Sequence, residues 1–185
     1  FKNSRKRLEI EKLRGAINRK LQEMVRRNRQ RMDYMQHFQR MIDEYNAGSR
    51  NVEQFFADLV EFTKKLTAEE QRHIAEQLSE EELALFDLLT RQPDVELTGK
   101  ERKQVKQAAR ELLDVLKAEK LTLDWRKRQQ SRAAVRVVIE QFLDERLPDA
   151  YTPHMFIRKC EAVYQHIYES YFGEGQSIYA MPLAT

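Results

Sequence analysis

Apolar positions recur every three or four residues along most of this chain, so its elements are predicted to be helices. The clearest pair lies between Leu121 and Phe172. In the first half, Ala134, Val135, Val138, Ile139, Phe142 and Leu143 form one stripe, behind an expected N-cap at Asp124 and the only tryptophan, Trp125. In the second half, Thr152 and Pro153 supply a cap and a first-turn proline. Phe156, Ile157, Cys160, Val163, Tyr164, Ile167, Tyr168, Tyr171 and Phe172 then repeat with the same period up to Gly173, the expected left-handed stop. Two such stripes joined by a Pro-bounded turn predict a helical hairpin that floors the core. Trp125 is expected to pack on aromatics such as Phe156 or Tyr164.

Upstream the stripes are shorter or more highly charged. Leu8, Leu13, Ile17, Leu21 and Met24 mark a helix over roughly 4–25, and Met32, Met35, Phe38, Met41, Ile42 and Tyr45 mark another, with a break near Asn28 where the stripe lapses into RRNRQR. Gly48 sits at the expected C-cap. Asn51 with Gln54, Thr67 with Glu70, and Ser79 with Glu82 each read as a capping box, predicting three short helices before Thr90. Residues 91–97, with Pro93, are expected to be irregular, and Thr98 with Glu101 opens a helix that runs to Lys120. No stretch alternates strictly in polarity. The expected fold is therefore all-α: an irregular bundle of about seven or eight helices. Its expected parts are an N-terminal helical arm (1–47, bent near 28), a compact helical domain (48–175) and a tail (176–185).

Composition supports this class. Of 185 residues 34% are charged, while Gly and Pro number five and four, as suits a helical protein of one domain. The single cysteine excludes an internal disulfide and argues for a reducing, cytoplasmic setting. No apolar run is long enough to span a membrane and no signal peptide is present. The opening phenylalanine is what an excised piece of a longer protein would show. The net charge of +3 hides blocks: 14 Lys/Arg against 6 Asp/Glu over 1–50, 5 against 12 over 51–100, 11 against 5 over 101–136, and 3 against 7 beyond. Such blocks either pair inside the domain or face separate partners.

The words LDWRKRQQSRAAVRVVIEQFLD and YTPHMFIRKCEAVYQHIYESYFG, with SEEELALFDLL and FQRMIDEYNAGSRNVEQFF upstream, resemble the C-terminal helical region of the R subunit of type I restriction enzymes, over about Leu8 to Ala180. This resemblance implies a piece of an ATP-dependent, DNA-translocating endonuclease subunit. Its ATP and Mg²⁺ chemistry would lie outside this chain. Its expected partners are the methyltransferase and specificity subunits, and DNA in the assembled enzyme.

The residues themselves carry little catalytic signal. His37, His73, His154 and His166 lack metal-ligand spacing to one another or to Cys160, so they read as exposed or singly hydrogen-bonded, and no metal site is expected. Pro93-Asp94 followed by Glu101-Arg102-Lys103 imitates a nuclease motif, but Glu101 is already explained by its capping box. No glycine-rich phosphate loop is present. Cys160 on an apolar stripe reads as a buried structural thiol.

Two basic clusters remain. Arg26, Arg27, Arg29 and Arg31 surround the expected bend, and Arg128, Arg132 and Arg136 follow at four-residue steps on one helix face, beside Arg126 and Lys127. They read either as partner or phosphate contacts or as a salt-bridged surface. Trp125, Phe142, Phe156, Cys160, Tyr164 and Tyr168 are the expected core signature. These residues lead to the expectation of a non-catalytic, cofactor-free module, and the resemblance implies that it docks the motor subunit onto the methyltransferase core. The alternative is a DNA-contacting module without sequence preference beside the translocation path.

Overall fold

The computed structural model describes residues 1–181 and, among them, seven α-helices and one two-stranded antiparallel ribbon. The fold is all-α, as the periodicity predicts. The chain divides into two compact units, Phe1–Glu76 and the part from Gln77 onward.

The first unit is a three-helix bundle of α1 (Lys2–Arg27), α2 (Met32–Asn46) and α3 (Val52–Ala75). Ion pairs Lys6–Glu53 and Lys20–Glu70 show that α1 and α3 run parallel. Arg31 beside Glu69 and Tyr45 stacked on Phe55 at 4.2 Å show that α2 runs back between them. Ile10, Ile17, Leu21 and Met24 of α1, Phe38 of α2, and Phe55, Leu59, Phe62 and Leu66 of α3 fill the core. Residues 1–47 are thus not an arm of their own, because their apolar stripe is buried against α3. The expected break is present: Asn28 is extended, its side chain accepts from the Gln30 N–H, and a single 3-10 turn, Arg29–Arg31, leads into α2. At the other end of α2, Ser49 N–H donates to the Glu44 carbonyl and Gly48 N–H to the Tyr45 carbonyl, with φ +79° at Gly48. This is the Schellman arrangement, which glycine adopts without Cβ strain.

Further sequence expectations fail in this unit. Leu8 is exposed, and Ile10 takes the buried position in its place. The helix start expected at Thr67 does not occur, since α3 continues through it and the Thr67 hydroxyl donates to the Thr63 carbonyl. Phe55, Leu59, Phe62, Leu66 and Glu69 are buried at alternating steps of four and three, so the stripe never loses phase and no helix end is favoured.

The second unit packs α4 (Glu80–Thr90), α5 (Gly99–Val115), α6 (Gln129–Arg146) and α7 (Pro153–Ser170), with β1 (Tyr171–Gly173) and β2 (Gln176–Ser177) behind α7. The capping boxes at Ser79 and Thr98 both form. A wide turn, Leu116–Lys120, extends α5 to the expected end. All residues of α4 from Leu83 to Thr90 are buried, which makes it the central helix of this unit. Leu83, Phe86 and Leu89 of α4, Val105 and Leu112 of α5, Val135, Ile139 and Leu143 of α6, and Val163 and Ile167 of α7 form one core around Trp125.

The α6–α7 hairpin is present, but its start is reorganised. Asp124 has left-handed φ +56° and makes no side-chain cap bond; Trp125–Lys127 is a separate 3-10 turn, and α6 begins only at Gln129. α7 stops at Ser170, ahead of Gly173, which lies in the ribbon with φ +113°. A Cβ at Gly173 would sit 2.5 Å from the Thr122 carbonyl oxygen, so the ribbon can lie on the 121–123 segment only because this residue is glycine. Glu174 N–H completes that contact by donating to the Leu121 carbonyl. Gln176 and Ser177, expected in a tail, therefore belong to the folded unit, whereas 182–185 lie outside the described residues.

Candidate interaction surfaces

The basic cluster at the bend does not form one surface. Arg26 and Arg29 are exposed, Arg27 is half-buried, and Arg31 is 2% exposed. Arg31 Nε donates to Glu69 Oε1 at 3.0 Å, and Arg72 donates to both oxygens of the same carboxylate at 3.0 Å. Tyr34 stands 3.5 Å away. Burial alone would raise the Glu69 pKa, but the hydrogen bonds and charges of Arg72 and Arg31 outweigh it and hold the carboxyl below its usual range. Arg31 is thus a structural cation that ties α2 to α3.

The row on α6 is largely engaged inside its own unit. Arg136 donates to Glu161 at 2.6 Å and lies 3.7 Å over the Tyr164 ring, bridging α6 to α7. Its pKa is raised, chiefly by the Glu161 hydrogen bond. Arg132 donates to the Arg126 carbonyl at 2.6 Å, while Arg128 is exposed at the N-cap of α6. Arg126 lies over Phe172 at 4.7 Å and donates to the Tyr168 carbonyl, a cation at the negative end of α7.

Of the expected core signature, Trp125, Cys160 and Tyr164 are buried, and Phe142 and Phe156 are partly buried against the core. Trp125 Nε1 donates to the Tyr171 carbonyl at 3.0 Å, and its ring meets Tyr168 edge-on at 6.0 Å in place of Phe156 or Tyr164. Tyr168 is at the surface, so it caps the tryptophan from outside. Ile157, placed on the buried stripe by its spacing, is 66% exposed. It borders a groove of about 230 Å³ whose floor includes Phe156, Cys160 and Tyr164 and whose rim carries Arg136, Glu140 and Glu161. Burial pushes the Cys160 thiol up to about 12, so it is neutral near pH 7 and a poor nucleophile.

The nuclease-like residues do not converge. Glu101 accepts from the Thr98 N–H at 2.8 Å, and Asp94 lies in the loop before α5. Among the described residues no group of three or more His, Cys, Asp or Glu is placed to hold a metal ion. No helix among them is long and apolar enough to cross a membrane. His37 packs 5.6 Å from Phe62. His166, read as exposed or singly bonded, is buried with Ser170 Oγ 3.4 Å from Nδ1 and Tyr179 Oη 3.3 Å from Nε2.

A family model described as Type I restriction enzyme HindI endonuclease subunit-like, C-terminal, matches residues 1–171. The chain belongs to this family. No curated protein and no solved structure matches it. The match takes in both units of this type I endonuclease-subunit domain and ends at Tyr171, where α7 gives way to the ribbon.

Buried charged groups of the restriction-subunit domain that the pattern reading did not single out include Lys159 and Glu69. Lys159, 2% exposed, donates to the Arg91 and Pro93 carbonyls at 2.6 and 2.9 Å and so pins the irregular loop onto α7. Desolvation, helped by Arg158 and opposed by Asp94, draws its pKa down to about 8. Tyr171 donates to Glu81 at 2.8 Å, and Lys117 pairs with the same carboxylate. Lys159 stands three residues after Phe156 and Glu69 three after Leu66, so both are in phase with an apolar stripe, and that phase was the available signal.

Proposed function

We propose that this domain is a non-catalytic docking module that joins the endonuclease subunit to the methyltransferase and specificity subunits of a type I restriction complex. ATP and Mg²⁺ would act elsewhere in the parent subunit, with no cofactor held here. The observation that carries the reading is the groove beside Ile157: an exposed aliphatic side chain and an aromatic floor, ringed by Arg136, Glu140 and Glu161. An apolar centre with a charged rim is the anatomy of a protein interface. The engagement of Arg31, Arg132 and Arg136 inside their own units weakens the alternative in which those clusters form a DNA track.

The test is co-purification of the chain with its cognate methyltransferase–specificity complex. Wild type should be retained. Ile157→Asp should lose retention by more than about tenfold, as a charge buried at the centre of an interface does, without a change in melting temperature. Failure of wild type to be retained overturns the docking reading. Retention unaffected by Ile157→Asp overturns the assignment of this face.

A further inference from the structure

α1 carries a second periodicity beside its apolar stripe. Arg5, Lys12, Arg19 and Arg26 recur every seven residues, and all four are exposed. Seven helical steps return to within about 20° of the starting direction, so the four share one face, opposite Ile10, Ile17 and Leu21. At the helical rise they stand about 10.5 Å apart and span roughly 31 Å. Only Arg26 belongs to the cluster at the bend.

Leu8, Gly15 and Gln22 occupy the intervals of the row. Gly15 is informative, because glycine is unfavourable inside a helix and its own unit does not require it. A Cβ there would meet only the Arg19 guanidinium, at an ordinary 3.6 Å. On this face Arg5 pairs with Glu9 at 3.7 Å, long and exposed, and Arg26 stands 3.8 Å from the half-buried Glu23 among its contacts. Pairs of this kind contribute little and exchange readily for other anions. Among the described residues Lys12 and Arg19 have no ion pair within 4.0 Å.

We propose that this outward row of α1 binds the phosphate backbone of duplex nucleic acid without reading its sequence. Evenly spaced cations along one continuous helix, with a small residue at Gly15 between them, suit a line of phosphates. Leu8 is the one large apolar side chain between the four cations, with exposed Phe1 at the helix N-cap beyond Arg5, too little for the apolar centre a protein partner would require. No aromatic side chain lies between the four cations to stack on bases. This surface is separate from the groove at Ile157 and is tested separately.

The experiment titrates the chain into a labelled random-sequence duplex at salt concentrations from about 50 to 200 mM. The Lys12→Gln/Arg19→Gln variant keeps good helix formers at both positions. The Lys100→Gln/Lys103→Gln variant, at exposed sites on α5, removes the same charge elsewhere. Wild type should show a log–log salt slope of about −3 to −4, and the row variant should reduce its magnitude by about two and weaken binding roughly tenfold per lost contact near 0.1 M salt. The α5 variant should leave the slope unchanged. Absence of duplex binding by wild type, or equal losses in both variants, would overturn the proposal. Displacement of the duplex by polyglutamate as readily as by unlabelled duplex would instead assign the row to an acidic protein.

Discussion

Glu69 offers the sharpest stability test, because one carboxylate accepts from two guanidinium groups inside the first unit. Replacing it with leucine removes hydrogen bonds at 3.0 Å from Arg31 and from both donating nitrogens of Arg72. Arg72 retains some solvent access, but Arg31 at 2% exposure cannot regain water without moving α2. Breaking a buried pair from one side costs about 3–5 kcal/mol, whereas replacing both partners with apolar groups is often close to neutral. Glu69→Leu should therefore destabilise the bundle by about that amount, and Arg31→Met/Glu69→Leu should recover most of the loss. The folded-state pKa of Glu69 lies below the ordinary value of 4.5, so its contribution is complete above that value and is lost as pH falls through the lowered one. Acid should thus destabilise wild type more steeply than Glu69→Leu. Urea unfolding followed by circular dichroism measures the effect, with fluorescence of Trp125 reporting on the second unit alone. A loss below about 1 kcal/mol, or a double variant as poor as the sum of the singles, would refute the reasoning.

In the second unit, Trp125→Ala should cost about 3–5 kcal/mol in chemical denaturation, since a fully buried indole and its bond to Tyr171 are both removed. Gly173→Ala should lower stability by more than about 1 kcal/mol, because the position combines positive φ with a Cβ clash at 2.5 Å, and a silent substitution would show that the ribbon moves freely off Thr122. Lys159 is held near pKa 8 against an ordinary value of 10.5, so over that window the unfolded chain binds the extra proton and stability should rise with pH. Cys160 acts oppositely from pH 9 upward, its thiol being raised to about 12, so the rise should be clearest between pH 8 and 9 and absent in Lys159→Met.

Caps and stripes were legible where the signal is local. Asn51, Ser79 and Thr98 each start a helix with both reciprocal bonds formed. Thr67 with Glu70 has the same spacing and starts nothing. The difference lies before the cap: Gln77 adopts left-handed φ +57° and lets the chain leave α3 ahead of Ser79, whereas Leu59, Phe62 and Leu66 bury one continuous face through Thr67. A capping pattern acts only where packing allows the preceding helix to end. Phase was harder to read than period. Leu8 and Ile10 fit a helix equally well, and packing on α3 selects Ile10.

Charged positions show the same division most clearly. Four-residue steps put Arg128, Arg132 and Arg136 on one face of α6, but the partner of Arg136 is Glu161, on another helix, and no local pattern announces it. Seven-residue steps put Arg5, Lys12, Arg19 and Arg26 on one face of α1, and there α3 packs on the opposite side, so the face stays open. Spacing determines which charges share a face, while tertiary packing determines whether that face meets solvent. The two rows therefore call for opposite experiments. Neutralising the α6 row should lower stability through the lost α6–α7 bridge, and neutralising the α1 row should leave folding intact while changing what the surface binds.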